Sequence, residues 1–145
     1  MKKKIILKSK DIRRDIEKIA TEIIGSNTSM KDVVLVGIRT GGAYLATRLQ
    51  ETIGRLKSAK PPTGVLDITL YRDDWTKIGP TPRVGKTELP FSIDEKTVVL
   101  VDDVLFTGRT VRAAMDALID FGRPRKIELA ILVDRGDSAR AVSYT

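Results

Sequence analysis

The chain has 145 residues, of which 41% are apolar and 31% charged, so it is long enough and apolar enough to bury the core of one globular domain. It contains no cysteine and no histidine, which excludes disulfides, thiolate nucleophiles and every mechanism that needs an imidazole base. The net charge is +7. No apolar run is long enough to span a bilayer or to serve as a signal peptide, and the sequence therefore predicts a cytoplasmic protein.

The N-terminal part of the chain is strongly basic and has a helical pattern. Apolar residues recur at helical spacing in residues 9–24, Gly25 is a suitable stop, and an N-terminal helical segment is predicted within residues 1–30. Residues 1–18 hold eight basic and three acidic residues, a net charge of +5. Such a surface fits nucleic acid or a polyphosphate, and it fits a solvated helix face equally well.

Strands and helices then alternate. The apolar run at residues 33–38 predicts a strand buried on both faces. Gly41 opens a second helical pattern that the proline pair at 61–62 breaks. Residues 65–71 predict a second strand. Residues 72–94 are polar and rich in Gly and Pro, and a connection of that length inside a compact domain is usually functional.

The second half of the chain repeats the same alternation. Residues 97–101 predict a third strand, residues 108–121 a helix, and residues 127–133 a fourth strand. Strands that alternate with helices predict an α/β fold with a mostly parallel sheet flanked by helices. Ligands of such folds bind at the carboxyl ends of the strands.

The strongest chemical signal is a segment of thirteen residues where the third strand meets its helix. The strand delivers two adjacent carboxylates, and a loop with hydroxyls, backbone amides and glycine leads into a helix N-terminus. That loop can bind a phosphate, while the carboxylates can bind sugar hydroxyls or a hydrated Mg²⁺. The predicted binding residues are Val98, Val99, Leu100, Val101, Asp102, Asp103, Val104, Leu105, Phe106, Thr107, Gly108, Arg109 and Thr110.

A second strand–turn–helix junction follows the first strand. Arg39, Thr40 and Gly41 stand where backbone amides and one guanidinium could hold a second anion. Alone, this stretch would be an ordinary turn between a strand and a helix, so its interpretation depends on the thirteen-residue segment.

These segments resemble a known family. Residues 98–110 closely resemble the signature of type I phosphoribosyltransferases that binds 5-phosphoribosyl-1-pyrophosphate (PRPP), and residues 36–42 resemble the pyrophosphate loop of that family. Residues 66–74, 110–118 and 132–136 are similar to the bifunctional group that combines uracil phosphoribosyltransferase with pyrimidine-operon regulation. Together the matching segments run through nearly the whole chain.

The resemblance implies the type I phosphoribosyltransferase fold in a single domain over residues 1–145, with a long flexible active-site loop at residues 72–94. The implied reaction converts uracil and PRPP to uridine 5′-monophosphate (UMP) and pyrophosphate. Mg²⁺ would be bound through PRPP, with no direct protein ligand. A homodimer or a higher homo-oligomer is also implied.

The resemblance also implies roles for individual residues. Asp102, Asp103 and Arg72 are the implied catalytic residues, and Asp134 and Arg135 are the implied residues on the base side. No side chain has to act as a nucleophile, which agrees with a chain that lacks cysteine and histidine.

The chain departs from the family pattern at two places. Gly41 stands where the operon regulators often have arginine, and after Gly136 their His-Arg sequence is replaced by an atypical tail at residues 137–145. The tail affects the expected base pocket and RNA surface. The sequence predicts a salt-sensitive affinity for RNA with little preference for a pyrimidine-operon leader.

Three alternatives stay open on the sequence alone. The chain could be an RNA-binding regulator with little catalysis, another type I transferase that uses a purine or orotate, or an inactive chain that keeps the PRPP site. Residues 67–74 and 134–136 favour uracil over a purine or orotate.

Overall fold

The structure is a computed structural model that describes residues 9–38, 41–68, 87–102, 108–131 and 140–144. The elements in chain order are α1 (Ser9–Gly25), β1 (Val33–Ile38), α2 (Gly41–Lys57), β2 (Thr63–Leu66), β3 (Thr97–Asp102), α3 (Gly108–Ile119), β4 (Lys126–Ile131) and β5 (Arg140–Tyr144). In the part of the chain that the structure describes, no helix is long and apolar enough to cross a membrane.

One sheet contains all five strands, in the order β2-β1-β3-β4-β5. β1 runs parallel to both β2 and β3, and β3 runs parallel to β4. β5 pairs antiparallel with β4 and forms one end of the sheet. The predicted fold class, a mostly parallel sheet flanked by helices, is therefore confirmed.

Both faces of the sheet are covered. β1 and β3 are buried along their whole length, as their unbroken apolar sequences predict. Side chains alternate across a strand, so β1 sends Val33 and Leu35 to the layer of α1 and α2, and Val34 and Val36 to the layer of α3. Two hydrophobic layers therefore enclose the two central strands.

Most element boundaries lie within two residues of the predicted ones, and β2 differs most. The predicted strand at 65–71 is observed at Thr63–Leu66, and residues 69–71 lie outside the described part. Val65 forms an isolated bridge with Glu88, and the backbone N–H of Asp67 donates to the hydroxyl of Thr87 at 2.9 Å. Residues 87 and 88 thus provide hydrogen-bond partners for the backbone at the end of β2, where the strand was predicted to continue.

The end of α3 also differs from its predicted position. The predicted helix at 108–121 ends at Ile119. The N–H groups of Asp120 and Phe121 donate to the carbonyl groups three residues earlier, at 3.1 and 2.9 Å. This spacing is that of a tight 3₁₀-type turn, which often finishes an α-helix.

The atypical tail contains a strand that the sequence pattern did not predict. Arg140 to Tyr144 pair antiparallel with β4, from Arg140 opposite Ile131 to Tyr144 opposite Ile127. Backbone groups along the edge of β4 need partners whatever side chains face them. An edge strand can therefore form from a sequence without a strong strand signature.

Only part of the predicted loop at 72–94 lies in the described residues. Residues 87–94 run along the sheet, where Ile93 is buried and Leu89 and Phe91 pack against the α3 layer. The remaining residues, 72–86, lie outside the described part, so a loop there stays a prediction.

One buried carboxylate joins α1 to the sheet. Glu128 of β4 is 2% exposed. Its oxygens accept hydrogen bonds from the Ser26 hydroxyl at 3.0 Å and the Asn27 amide at 3.4 Å, and Lys126 Nζ lies 3.3 Å away. Burial of a carboxylate is costly unless hydrogen bonds and a counter-charge offset it, as these groups do here. Glu128 thus holds the turn after α1 against the amino end of β4.

Candidate functional site

The connections of the sheet diverge between β1 and β3. The chain leaves β1 through α2 and reaches β2 on one side, whereas it leaves β3 through α3 and reaches β4 on the other side. α2 and α3 also cover opposite faces of the sheet. This divergence leaves a crevice beyond the carboxyl ends of β1 and β3, which is where open α/β sheets bind their ligands.

The N-terminus of α2 sits directly on the end of this crevice. A Cβ atom added to Gly42 would overlap the carbonyl oxygen of Val101 and would lie 3.2 Å from the Cα atom of Asp102. A Cβ atom on Gly37 would overlap the carbonyl oxygen of Gly42. Only hydrogen atoms at these two positions allow the helix to come this close. The partial positive charge of the helix N-terminus is therefore held beside the end of β3.

Of the two predicted catalytic carboxylates, Asp102 lies within the described residues and Asp103 lies outside them. Asp102 is the last residue of β3 and is 6% exposed. Gly37 pairs with Val101, so Asp102 stands beside Ile38 at the ends of adjacent strands. An acidic residue at the end of a buried apolar strand, in contact with a helix N-terminus, is suited to bind hydroxyl groups of a sugar next to a phosphate.

The first four residues of the predicted binding segment have a different position. Val98, Val99, Leu100 and Val101 are at most 2% exposed, inside β3. Their part in the site is to carry Asp102 to the edge of the sheet. Gly108 is the first residue of α3, and Arg109 and Thr110 lie in its first turn, so a second helix N-terminus follows the same strand.

The other predicted residues lie largely outside the described part. Gly41 is the first residue of α2, in the position predicted for the pyrophosphate loop. The residues outside the described part are Arg39, Thr40, Arg72, Asp103, Val104, Leu105, Phe106, Thr107, Asp134 and Arg135. Their roles stay predictions.

The sequence did not predict the packing function of three residues that shape the site, although Gly37 and Gly42 belong to the predicted pyrophosphate-loop segment at residues 36–42. Gly37 and Gly42 set the approach of α2, and the double glycine at 41–42 was the available signal. Thr87 fixes the backbone of Asp67 near the carboxyl end of β2. The two residues are twenty positions apart in the sequence, and no local sequence pattern predicts their contact.

A divalent metal ion would find few protein ligands among the described residues, which contain no group of three or more acidic side chains that could hold one. The donor set at the crevice is Asp102 beside a helix N-terminus. That set suits an ion that arrives already bound to phosphate oxygens.

Comparison with known proteins was made on sequence and on structure. Residues 3–145 match the family model of the phosphoribosyl transferase domain. A protein of Chloroflexus aurantiacus named "Bifunctional protein PyrR" is 58% identical over 133 residues, which cover 92% of this chain and 73% of the relative. The protein of the same name from Roseiflexus sp. is 57% identical over 136 residues, which cover 94% and 74%.

Two solved structures share the fold at low sequence identity. A hypoxanthine phosphoribosyltransferase from Staphylococcus aureus superposes with a TM-score of 0.66 at 20% identity, over 94% of this chain and 74% of that one. A purine phosphoribosyltransferase from Pyrococcus horikoshii gives 0.65 at 24% identity, over 88% and 75%. At this identity the likeness concerns the fold alone.

The contact between α2 and β3 can be tested with one methyl group. We expect Gly42→Ala to lower the free energy of unfolding by about 2–3 kcal/mol, because the added Cβ meets backbone atoms that cannot move aside cheaply. Gly25→Ala is the matched control, since a Cβ there meets nothing within 4 Å, and it should stay within about 0.5 kcal/mol. Urea denaturation followed by circular dichroism measures both. Equal stability of the two variants would show that α2 does not depend on this contact.

Proposed function

The chain belongs to the phosphoribosyltransferase family, and we propose that it transfers the phosphoribosyl group of PRPP to uracil and also regulates pyrimidine-operon expression by binding RNA. The observation that carries the catalytic proposal is Asp102 at the end of buried β3, in contact with the N-terminus of α2. The relatives named bifunctional, 57–58% identical to this chain, support the choice of uracil and the regulatory role.

The proposed binding mode follows from the crevice. The carboxylate of Asp102, together with Asp103, accepts hydrogen bonds from the two ribose hydroxyls of PRPP, and the N-terminus of α3 receives the 5′-phosphate. Arg39, Thr40 and the N-terminus of α2 bind the pyrophosphate. The two helix N-termini follow adjacent strands, which supports the proposal of two phosphate-binding regions with the ribose site between them.

The proposed reaction breaks the bond between ribose C1 and the pyrophosphate oxygen and forms a bond from C1 to a nitrogen of uracil. Negative charge grows on the departing pyrophosphate, and the α2 N-terminus and Arg39 stabilise it. Mg²⁺, when bound with PRPP, neutralises further diphosphate charge. Arg72 would approach the same group from the 72–94 loop, and closure of that loop would exclude water from the reactive C1 centre.

The regulatory part of the proposal rests on charge and on family. The net charge of +7 provides a general attraction for RNA, and residues 1–18 carry +5 of it. In the proposed role, the chain binds the leader RNA of pyrimidine biosynthetic transcripts and promotes attenuation, with the selectivity for that RNA weakened by the atypical tail at residues 137–145. Self-association into a homodimer or larger oligomer is proposed with it.

The ribose site can be tested by calorimetry. We expect saturable PRPP binding that requires Mg²⁺, and we expect the double variant Asp102→Asn/Asp103→Asn to bind about 10–100-fold more weakly, because each carboxylate loses charge-assisted hydrogen bonds. The control Glu51→Gln/Asp116→Asn removes the same charge from two exposed positions on α2 and α3 and should bind as the parent does. Unchanged affinity in the first variant, with an unchanged circular dichroism spectrum, would rule out the proposed ribose contact.

The base preference can be tested by product formation. We expect nucleotide formation from PRPP to be fastest with uracil when uracil, hypoxanthine, guanine, adenine and orotate are compared at equal concentration. Liquid chromatography of the nucleotide products measures the rates. Turnover of any of the other four bases without turnover of uracil would contradict the assignment.

RNA binding can be tested by gel shift at two salt concentrations. We expect affinity for a pyrimidine-operon leader in the range of about 1–100 µM at physiological salt, falling steeply as salt rises. We expect little preference over a scrambled sequence, because the His-Arg sequence of the family is replaced after Gly136. Tight, leader-selective binding that survives raised salt would refute this second expectation. Absence of any RNA affinity at low salt would refute the regulatory proposal.

A further inference from the structure

Two neighbouring cavities lie at the amino ends of the parallel strands. The first has a volume of about 490 Å³, and Lys31, Lys57 and Lys60 line it. The second has a volume of about 410 Å³, and Arg125 and Lys126 line it. Thr28 and Ser29 line both cavities, so the two cavities are adjacent. The two cavities together are called the basal groove.

The basal groove is separate from the crevice at the carboxyl ends. β1 begins at Val33, next to the groove, and ends at Ile38, next to α2. Six residues of strand at about 3.3 Å per residue place the two regions about 20 Å apart. One PRPP molecule in the crevice would not reach the groove.

The charge of the groove is almost entirely of one sign. Among the residues that the structure describes, no carboxylate lines the first cavity, and Asp32 is the single acidic residue that lines the second. Lys31, Lys57 and Lys60 form no ion pair with the residues that the structure describes, whereas Lys126 is paired with Glu128. Arg125 likewise forms no ion pair with the described residues, so four of the five cations of the groove lack an ion-pair partner among them.

Hydroxyl donors stand between the two groups of cations. The Ser29 hydroxyl oxygen accepts the N–H of Lys31 at 3.1 Å, which leaves its hydrogen available to a ligand. The Thr28 side chain makes no hydrogen bond with residues in the described ranges. Hydroxyls flanked by ammonium and guanidinium groups are typical donors to phosphate oxygens.

Several contacts hold the walls of the groove in place. The stem of Lys60 lies over Gly54, where a Cβ atom would come within 2.8 Å of the Lys60 Cγ atom. The Gln50 amide donates to the carbonyl of Pro61 at 2.8 Å and fixes the turn that carries Lys60. Glu128 fixes Ser26 and Asn27, which lead into the hydroxyl pair. These contacts reduce the ordering cost when a ligand binds.

Charge compensation at the end of α2 explains only one of the cations. Lys57 lies in the last turn of α2, where a positive side chain also offsets the partial negative charge of the helix end. Lys31 belongs to the turn before β1, and Arg125 belongs to the turn before β4. Neither residue belongs to α2, yet both line the groove, so the charge of the α2 end does not account for them.

We propose that the basal groove is a second anion site, which binds a ligand carrying at least two phosphate groups, one in each cavity. Each cavity is within the size range of small-ligand pockets. Because both cavities share Thr28 and Ser29, a ligand with one phosphate group in each would pass over these two hydroxyls. Two sources offer this phosphate chemistry. One is a free small molecule, such as a nucleotide or pyrophosphate, and the other is a short stretch of single-stranded RNA. This site does not depend on the proposed catalytic function.

Nuclear magnetic resonance of the ¹⁵N-labelled protein tests the site directly. Inorganic pyrophosphate is titrated without Mg²⁺, and the amide signals of residues 28–31 are compared with those of Gly41 and Gly42 at the crevice. We expect a saturable shift at residues 28–31. Shifts confined to the crevice, or a uniform linear drift of all signals, would overturn the proposal.

Variants that remove charge separate a built site from general attraction. Lys31→Gln/Lys60→Gln should weaken pyrophosphate binding at residues 28–31 about five- to tenfold, whereas Lys18→Gln/Arg112→Gln, which removes two exposed cations elsewhere, should change it less than twofold. Lys57 is left in place because it also stabilises the end of α2. Equal weakening by both double variants would overturn the proposal.

Gly54→Ala tests the placement of Lys60 without any change of charge. The added methyl group displaces the Lys60 stem, while alanine favours the helix, so folding should be maintained. We expect binding at residues 28–31 to weaken two- to fivefold. Unchanged binding in this variant and in Lys31→Gln/Lys60→Gln would show that the groove holds no ligand.

The source of the phosphate groups is decided by comparing ligands. Uridine triphosphate and hexauridylate are titrated at equal phosphate concentration and followed at residues 28–31. Tighter binding of the hexamer identifies an RNA strand as the ligand, and tighter binding of the triphosphate identifies a free nucleotide. If neither ligand shifts these signals, the proposal is wrong.

Discussion

The arrangement of the site depends on one contact between backbone atoms, in which the N-terminus of α2 approaches the ends of β1 and β3. Gly37 and Gly42 remove the Cβ atoms that would separate helix from strand. The contact is made by backbone atoms on both sides, so it defines the position of α2 within narrow limits. Asp102 and the amides at the start of α2 are consequently held together before any ligand arrives.

The position of the crevice follows from topology. β1 and β3 are adjacent, yet their following helices cover opposite faces of the sheet and lead in opposite directions. Proteins with only 20–24% identity to this chain share this fold. Apolar strands of about the right size, buried on both faces, are enough to maintain such a sheet, and many sequences provide them. The chemistry then depends on the few residues at the strand ends.

The two ends of the sheet have different electrostatic character. At the carboxyl ends, a buried carboxylate stands beside a helix N-terminus. At the amino ends, the turns before β1, β2 and β4 bring to one groove cations that form no ion pair with the described residues. The rigid sheet connects the ends, and Glu128 ties the turn after α1 to β4 at the basal end. A ligand in the basal groove would thus bind turns that are continuous with the central strands of the candidate functional site.

The sequence by itself determined the alternation of strands and helices, because periodicity and turn residues are local properties. It placed β1 at residues 33–38, as observed, and it predicted that Asp102 follows a buried strand, where the structure has it as the last residue of β3. Resemblance also determined the family, since the matching segments cover most of the chain.

Only the tertiary structure decided which distant residues meet. The end of β2 depends on Thr87, the burial of Glu128 on Ser26 and Asn27, and the strand at Arg140–Tyr144 on the open edge of β4. The basal groove likewise joins turns separated by up to about a hundred residues, between Thr28 and Lys126. Such contacts form because backbone and polar groups must find partners wherever the packed chain brings them, and that requirement leaves no periodic trace in the sequence.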